Sequence, residues 1–247
     1  STCADVLPAP LVPEHFALGR EGNLICARGA PIDSSAPYSL GSAFAAYALL
    51  QRLGFAFLHP LDPVAPAELN VSGVAEGEQH SEGPALGWRG FHLHTEHPIE
   101  LSEVLQGADA SLAAPSARGA PGGGAQRGGK TAGGKTVAWE SMVGHVSSTF
   151  EWLVANRQNR VQWLLLATPA WRRSGWVNST ERMTRLRTLT TLARDFGLFV
   201  GADVPIAEVQ QRGWYMVGDT SRGKASEMAA QIDARVQWLL EGAHLPK

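Results

Sequence analysis

Strand-like and helix-like segments alternate along the second part of the chain, and this alternation constrains the fold more than any other feature. Apolar or aromatic runs at 86–95, 161–167 and 198–205 each precede a segment with an apolar stripe at helical spacing. Such an order requires parallel strands joined by helical crossovers. The sequence therefore predicts the α/β class, either as a (β/α)8 barrel or as an open doubly wound sheet. No Gly-rich turn follows these strands, which weakens the dinucleotide-binding alternative.

Local patterns predict the individual elements of this part. The segment 182–197 is predicted to be a helix, because its apolar residues fall on one stripe and Gly197 stands at its end. Ser148, followed three residues later by Glu151, fits a capping box, so another helix is predicted to begin there. The continuous apolar run at 161–167 predicts a strand covered on both faces.

The chain divides into two predicted domains. Residues 1–82 are predicted to form a small α/β domain with strands at 22–29 and 55–60 and a helix between them. A connector rich in Pro, Gly and acidic residues follows the second strand in the sequence. Residues 83–247 read as a partial (β/α)8 (TIM) barrel. They hold about three βα units, whereas a closed barrel needs eight.

A low-complexity insertion at 107–136 interrupts the second domain. Its sequence GAQRGGKTAGGKT, at 124–136, matches the phosphate-loop pattern G-x-x-x-x-G-K-[ST] twice. A working phosphate loop joins a buried strand to a helix, and no strand pattern precedes this one. A tract of Gly, Ala, Ser, Pro, Arg and Lys cannot bury enough apolar surface to offset its chain entropy. The segment is therefore predicted to be a flexible surface insertion, and no cofactor is predicted.

Composition excludes several classes of partner. Twenty-one basic residues oppose 23 acidic ones, so net charge favours neither nucleic acid nor an anionic membrane. No apolar run approaches the length of a membrane-spanning helix. Cys3 and Cys26 could pair or remain as thiols, and the triplets at Asn70 and Asn178 fit the glycosylation pattern, which is common by chance. Compartment and oligomeric state are not predicted.

Candidate site residues lie where the predicted strands end, because barrel active sites form at the carboxyl ends of the strands. His92 and His94 alternate onto one face of the first strand and could chelate a metal ion, although further ligands would have to come from later strands. Thr168 and Trp171 follow the second strand, and Asp203 ends the third. The chain has eight tryptophans, and the flat ring of Trp171 suits a sugar.

These segments resemble glycoside hydrolase family 20, the β-N-acetylhexosaminidases. The sequence WRGFHLH at 88–94 resembles the family's first barrel strand with its R-G-x-x-x-D pattern, and NRVQWLLLA at 159–167 resembles its second strand. ARDFGLFVGADVPIA at 193–207 is similar to its third strand, which ends in E-x-D-x-P-G-H. The segment 38–60 resembles the small α/β domain that precedes the barrel in this family and in the α-glucuronidases of family 67. The resemblance covers most of the chain apart from the insertion.

The resemblance implies an exo-acting glycosidase in which three residues contact the substrate. Arg89 would hold hydroxyls of the terminal sugar, and Asp203 would occupy the third-strand acidic position near the pocket. His94 stands where the family has Asp and would be a third contact. Gly201 replaces the Glu of the family's acidic pair, and 206–207 replace its Gly-His, so another sugar such as a uronic acid fits equally well.

The resemblance also leaves the catalytic residues unassigned. In family 20 the fourth strand ends in an Asp-Glu pair, and no acidic pair follows 242 here, so the general acid is expected outside this chain. The predicted function is the N-terminal portion of an exo-acting glycoside hydrolase that cleaves terminal hexosaminides or uronides. The alternatives are a noncatalytic carbohydrate-binding fragment and a metal-dependent TIM-barrel hydrolase that uses His92 and His94. A partial barrel is expected to be inactive or barely stable alone, because its strand edges are unpaired.

Overall fold

A computed structural model describes residues 2–10, 12–30, 40–93, 102–111, 136–164, 180–203 and 225–242. The helices are α1 (Cys3–Val6), α2 (Gly41–Arg52), α3 (Ser102–Leu105), α4 (Trp139–Ala155), α5 (Thr180–Asp195) and α6 (Ala225–Gln237), which continues into a π-helical turn (Trp238–Gly242). The strands are β1 (Phe16–Glu21), β2 (Leu24–Gly29), β3 (Ala56–His59), β4 (Asp62–Val64), β5 (Gln79–Glu82), β6 (Gly90–Leu93), β7 (Ala110–Ser111), β8 (Thr136–Val137), β9 (Arg160–Leu164) and β10 (Phe199–Asp203). The fold is therefore mixed α/β, as the alternation predicts.

The first part of the chain forms an antiparallel sheet covered by α2. The strand order is β2-β1-β5, and both neighbours pair antiparallel with β1. Phe16 and Leu18 of β1 are fully buried, and they share a core with Phe44 and Ala45 of α2. This core continues into the second part of the chain, where α2 packs on α4.

The predicted connector at 61–82 contains regular structure. It holds β4, which pairs with β3 in a separate hairpin, a 3-10 turn (Val71–Gly73), and β5. The β5 sequence QHSE carries no strand signal, because its side chains lie mostly in solvent at the edge of the sheet. Its pairing with β1 is non-local, so it could not be predicted from its own residues.

The second part of the chain contains a parallel sheet with strand order β10-β9-β6. The strands pair in chain order and in continuous register, from Gly90 opposite Arg160 to Leu164 opposite Asp203. The predicted helix at 182–197 is confirmed as α5, and Gly197 follows it with φ of 77°. The sheets that the structure describes have two or three strands each, and none of them closes into a barrel.

Helix α4 begins nine residues before the predicted start at Ser148. Ser148 lies inside the helix, where its hydroxyl donates to the carbonyl of Gly144 at 3.2 Å. The apolar stripe continues upstream to Trp139, whose backbone N–H donates to the carboxylate of Asp109 at 3.0 Å. The capping group therefore comes from a segment thirty residues away in sequence, outside the window that defines a capping box.

The base of the low-complexity insertion is ordered. Strands β7 and β8 pair antiparallel, and Ala108 is 3% exposed. The predicted flexible boundary at 107 is therefore too early, because 107–111 pack on α5 through Arg185, which donates to the carbonyl of Gly107 at 3.0 Å. Residues 112–135, which hold nearly all of the phosphate-loop pattern, lie outside the described residues.

Candidate functional site

The parallel sheet presents two unlike faces. Val161, Trp163 and Val200 point to one face and are buried with α4 and α5, where the rings of Phe150 and Trp163 meet edge to face. Alternate residues of the same strands point the other way. That second face, here called the open face, is defined by Trp88, Arg160, Gln162, Phe199 and Asp203.

For 161–164, the open face corrects the prediction that 161–167 is a strand covered on both faces; 165–167 lie outside the described residues. Polar Arg160 and Gln162 alternate with apolar Val161 and Trp163 along β9, which is the pattern of a strand buried on one side. Phe199 is 52% exposed and Trp88 is 68% exposed, so solvent reaches this side of the sheet.

A row of hydrogen bonds crosses the open face from strand to strand. The Arg160 Nε donates to Gln162 Oε1 at 2.9 Å, and the Gln162 Nε2 donates to Asp203 Oδ1 at 2.5 Å. Arginine can only donate and an ionised carboxylate can only accept, so the two neighbours fix which end of the Gln162 amide faces each of them. The row thus presents a guanidinium, an oriented amide and a carboxylate in fixed sequence.

Two aromatic rings border the amino-terminal end of this row. The guanidinium of Arg160 lies 4.8 Å from the centroid of the Trp88 ring, and the Trp88 and Phe199 rings are 6.0 Å apart. Stacking on an indole restrains the planar guanidinium without consuming its N–H donors. The open face therefore combines exposed ring faces with directed donors and acceptors.

Gly201 leaves the space that the row occupies. A Cβ at this position would lie 2.3 Å from Gln162 Oε1 and 2.9 Å from Arg160 Nη2. A larger residue, such as the Glu of the family 20 pattern, would displace both side chains. The row of side chains therefore depends on a glycine at this position.

Replacing Gly201 with alanine tests the row directly. The displaced groups are the ends of flexible side chains, so the free energy of unfolding is expected to change by less than about 1 kcal/mol. The side-chain amide signals of Gln162 in an NMR spectrum are expected to move, because both of its hydrogen bonds are disturbed. Unchanged amide signals in Gly201→Ala would show that the row does not form in solution.

The structure places the predicted substrate contacts in different regions. Asp203 ends β10 and belongs to the open face. His94 and Trp171 lie outside the described residues, and so does the metal-ligand pair that His94 would form with His92. Sequence analysis missed Arg160 and Gln162, although their alternation with apolar residues along β9 was a usable signal.

Arg89 lies immediately before β6, at the amino-terminal ends of the parallel strands, whereas Asp203 lies at their carboxyl ends. Its guanidinium pairs with the carboxylate of Glu14 at 2.6 Å and donates to the carbonyls of Leu86 and, at 2.6 Å, of Arg157. Asn159 joins the cluster, accepting from the Arg89 N–H at 2.9 Å and donating to Glu14 at 3.0 Å. The structure therefore does not bring Arg89 and Asp203 together.

A second concave region lies between the β3–β4 hairpin and α4. This groove of about 190 Å³ is lined by residues that include Phe57, His59, His145 and Glu151. Tyr47 donates to Glu151 Oε1 at 2.9 Å, and burial together with this carboxylate raises the pKa of Tyr47 well above its usual range. The pair fixes α2 to α4 beside the groove.

Comparison with known proteins does not assign this chain to a family. No family model, curated protein or solved structure matches it. Within the described ranges, no three His, Cys, Asp or Glu residues cluster in a way that could hold a metal ion. No described helix is long and apolar enough to cross a membrane. The function must therefore be argued from the open face.

Proposed function

We propose that this chain is the N-terminal portion of an exo-acting glycoside hydrolase, and that its open face contacts the terminal sugar of a glycan. The hydrogen-bonded row of Arg160, Gln162 and Asp203, bordered by the rings of Trp88 and Phe199, carries the proposal. The sugar class stays a hexosaminide or a uronide, as the family resemblance implies.

The arrangement of the sheet supports a barrel origin. Right-handed crossovers place successive helices on the same side of a sheet when each new strand is added at the same edge. Here β9 is added beside β6, and β10 is added on the far side of β9. Helices α4 and α5 both pack on the buried face of this sheet. In a (β/α)8 barrel the helix-free face becomes the interior, whereas a doubly wound sheet reverses direction and covers both faces.

The chemistry of the open face suits a sugar. Each sugar hydroxyl both donates and accepts hydrogen bonds. The row offers a guanidinium that donates, an amide that can donate and accept, and a carboxylate that accepts. Exposed aromatic rings cover the apolar face of a pyranose with little loss of side-chain entropy. Asp203 is therefore proposed as a substrate contact, and no general acid is assigned among the described residues.

A noncatalytic carbohydrate-binding protein is the second candidate. Of the five residues that define the open face, only Asp203 carries a carboxylate. Hydrolysis through two carboxyl groups needs a second one, whereas binding does not. Sequencing the transcript beyond the codon for Lys247 separates the two candidates. A further strand that ends in an acidic pair, with turnover of aryl glycosides by the longer protein, would decide for the hydrolase, whereas sugar binding by a protein without such a strand would decide for the second candidate.

NMR titration with monosaccharides tests sugar binding at this face. N-acetylglucosamine, glucuronic acid, glucose and galactose would be added to the labelled protein, whose eight tryptophans each give an indole N–H signal. The signal assigned to Trp88 by a Trp88→Phe variant is expected to move with at least one sugar. Trp88→Ala is expected to lower the affinity for that sugar about tenfold. This corresponds to a loss of about 1.4 kcal/mol in binding free energy when the contact with the ring is removed.

Matched surface variants control for nonspecific effects. Leu58→Ala removes another exposed apolar side chain, and Asp62→Asn removes another carboxylate, both on the β3–β4 hairpin. Neither is expected to change sugar affinity, whereas Asp203→Asn should reduce it. If no sugar moves the Trp88 signal at saturating concentration, the open face is not a carbohydrate site.

A further inference from the structure

The loop that follows the β3–β4 hairpin presents an exposed asparagine in a defined geometry. Asn70 begins the sequence Asn-Val-Ser, and both Asn70 and Ser72 are exposed. The Ser72 hydroxyl donates to Asn70 Oδ1 at 2.8 Å. Within the described part of the chain, no acceptor takes up the Nδ2 of this amide. The amide is thus polarised at its oxygen and free at its nitrogen.

The backbone around Asn70 is held by two hydrogen bonds, whereas the amide nitrogen of its side chain is free within the described part of the chain. The Asn70 N–H donates to the carbonyl of Leu53 at 2.9 Å, and the Asn70 carbonyl accepts from the N–H of Gly73 at the same distance. The first bond ties the loop to the end of α2, and the second closes a turn within the loop. The side chain therefore projects into solvent from a loop held to the body of the protein.

The residues next to Asn70 are apolar and exposed. Leu69 is 57% exposed and Val71 is 55% exposed, directly on either side of the asparagine. A sugar attached to Nδ2 would lie over one or both of them with its apolar ring face. The loop thus carries a surface that a covalently attached sugar would cover.

A disulfide bond supplies an independent observation about the environment of the protein. Cys3 and Cys26 are bridged, with Cα atoms 5.3 Å apart, and Cys26 is fully buried. Such bonds persist in secreted proteins and in the secretory pathway, and they are rare in the reducing cytosol. Asparagine glycosylation of Asn-X-Ser/Thr takes place in that pathway. The pairing of the cysteines, which the sequence left open, therefore gives the triplet at Asn70 the compartment that the modification needs.

The structure assigns to Asn70 the role of an N-glycosylation site. In the reaction, Nδ2 forms a bond to the anomeric carbon of a lipid-linked oligosaccharyl pyrophosphate. The bond from that carbon to the pyrophosphate oxygen breaks, and the lipid pyrophosphate leaves with the electron pair. Nδ2 loses one proton to a base of the transferase, and no group is oxidised or reduced. This inference is independent of the proposed sugar-binding face.

Peptide mapping of the protein from its natural source tests the assignment. Trypsin releases Asn70 in the peptide 53–89, and it releases the second triplet, at Asn178, separately in 174–182. Peptide N-glycosidase treatment in heavy-oxygen water is expected to convert 53–89 to a labelled aspartate form. Before treatment, that peptide should be missing at its unmodified mass. Recovery of 53–89 at its unmodified mass, from protein whose Cys3–Cys26 bond is intact, would overturn the assignment.

Variants of the full chain secreted from eukaryotic cells provide the second test. Ser72→Ala is expected to abolish the glycan on 53–89, while Ser72→Thr, which keeps the hydroxyl, retains it. Asn178→Gln is the matched control and should leave the glycan on 53–89 unchanged. The Tm of each variant is measured after enzymatic removal of the glycan, so that a folding defect is separated from a lost acceptor. A glycan that persists on 53–89 in Ser72→Ala, or is absent from the unaltered secreted chain, would overturn the assignment.

Discussion

Replacing Arg89 with alanine is expected to lower the free energy of unfolding by about 3 kcal/mol, the lower end of the cost of breaking a buried ion pair, because this pair is partly buried. The side chains of Arg89 and Glu14 are only 12% and 17% exposed. Without Arg89, the Glu14 carboxylate keeps the Asn159 amide as its partner among the described residues, and the carbonyls of Leu86 and Arg157 lose the donor that Arg89 supplies. For a chain of this length, Tm is expected to fall by roughly 10 °C.

Urea unfolding of paired variants measures this effect. Glu14→Gln should destabilise the protein through the same pair, and the double variant Arg89→Ala/Glu14→Gln should cost less than the sum of the single variants. Glu76→Gln is the matched control, because the pair of Glu76 with Arg20 is exposed and is expected to contribute less than about 1 kcal/mol. If Arg89→Ala abolished sugar binding and left stability unchanged, Arg89 would be a substrate contact after all.

The cluster around Arg89 also concentrates backbone strain. Glu14 and Arg157 adopt φ of 62° and 60°, the left-handed region that non-glycine residues rarely occupy. Both residues hold Arg89, one through its side chain and the other through its carbonyl. The Arg157 guanidinium lies 5.3 Å from the centroid of the Phe16 ring, and burial lowers its pKa. These contacts stabilise the left-handed conformations and join the first sheet to the amino-terminal edge of the second.

This location explains why the resemblance and the structure give Arg89 different surroundings. A short motif places a residue along a strand, but it does not say which edge of a parallel sheet the residue occupies. In barrels, catalytic residues come from the carboxyl ends of the strands. Asp203 lies at the carboxyl end of β10, whereas Arg89 precedes the amino-terminal end of β6 and its guanidinium pairs with Glu14. The assignment of Arg89 to the substrate stays a prediction that the urea and sugar experiments together test.

Elements with strong local periodicity could be predicted, and elements defined by distant partners could not. Helices α2 and α5 and strands β9 and β10 each carry their own apolar pattern. β5 is polar throughout, and only its pairing with β1 makes it a strand. The start of α4 depends on Asp109, which precedes it by thirty residues.

The candidate site shows the same division. The position of Asp203 at the end of a strand could be predicted, because the apolar run before it indicates β10. Arg160 and Gln162 were overlooked, since the apolar density of 161–167 obscured the alternation at its beginning. The hydrogen bonds that link them to Asp203 depend on the register of β9 with β10, which no single segment contains.

Loss of the Cys3–Cys26 bond is expected to lower the free energy of unfolding by about 3 kcal/mol, because the bond closes a loop with a sequence separation of 23. The bond holds α1, whose four residues are too few to form a stable helix alone, against β2. Val6 and Leu7 of this segment pack with Ala17 and Cys26 in a small core of their own. Arg28 and Gln79 add hydrogen bonds to the carbonyls of Leu7 and Val6.

Thermal unfolding with and without dithiothreitol checks this expectation. The variant Cys3→Ser/Cys26→Ala suits the test, because a serine hydroxyl at the fully buried position 26 would add its own desolvation cost. Reductant should lower the Tm of the unaltered chain to that of the double variant and should leave the variant unchanged. Since the bond holds α1 directly against β2, amide exchange is expected to accelerate most in 2–10 and β2. The contrary result would be an unchanged Tm of the unaltered chain in reductant, with alkylation showing that both thiols are free. It would mean that the packing contacts hold α1 without the bond.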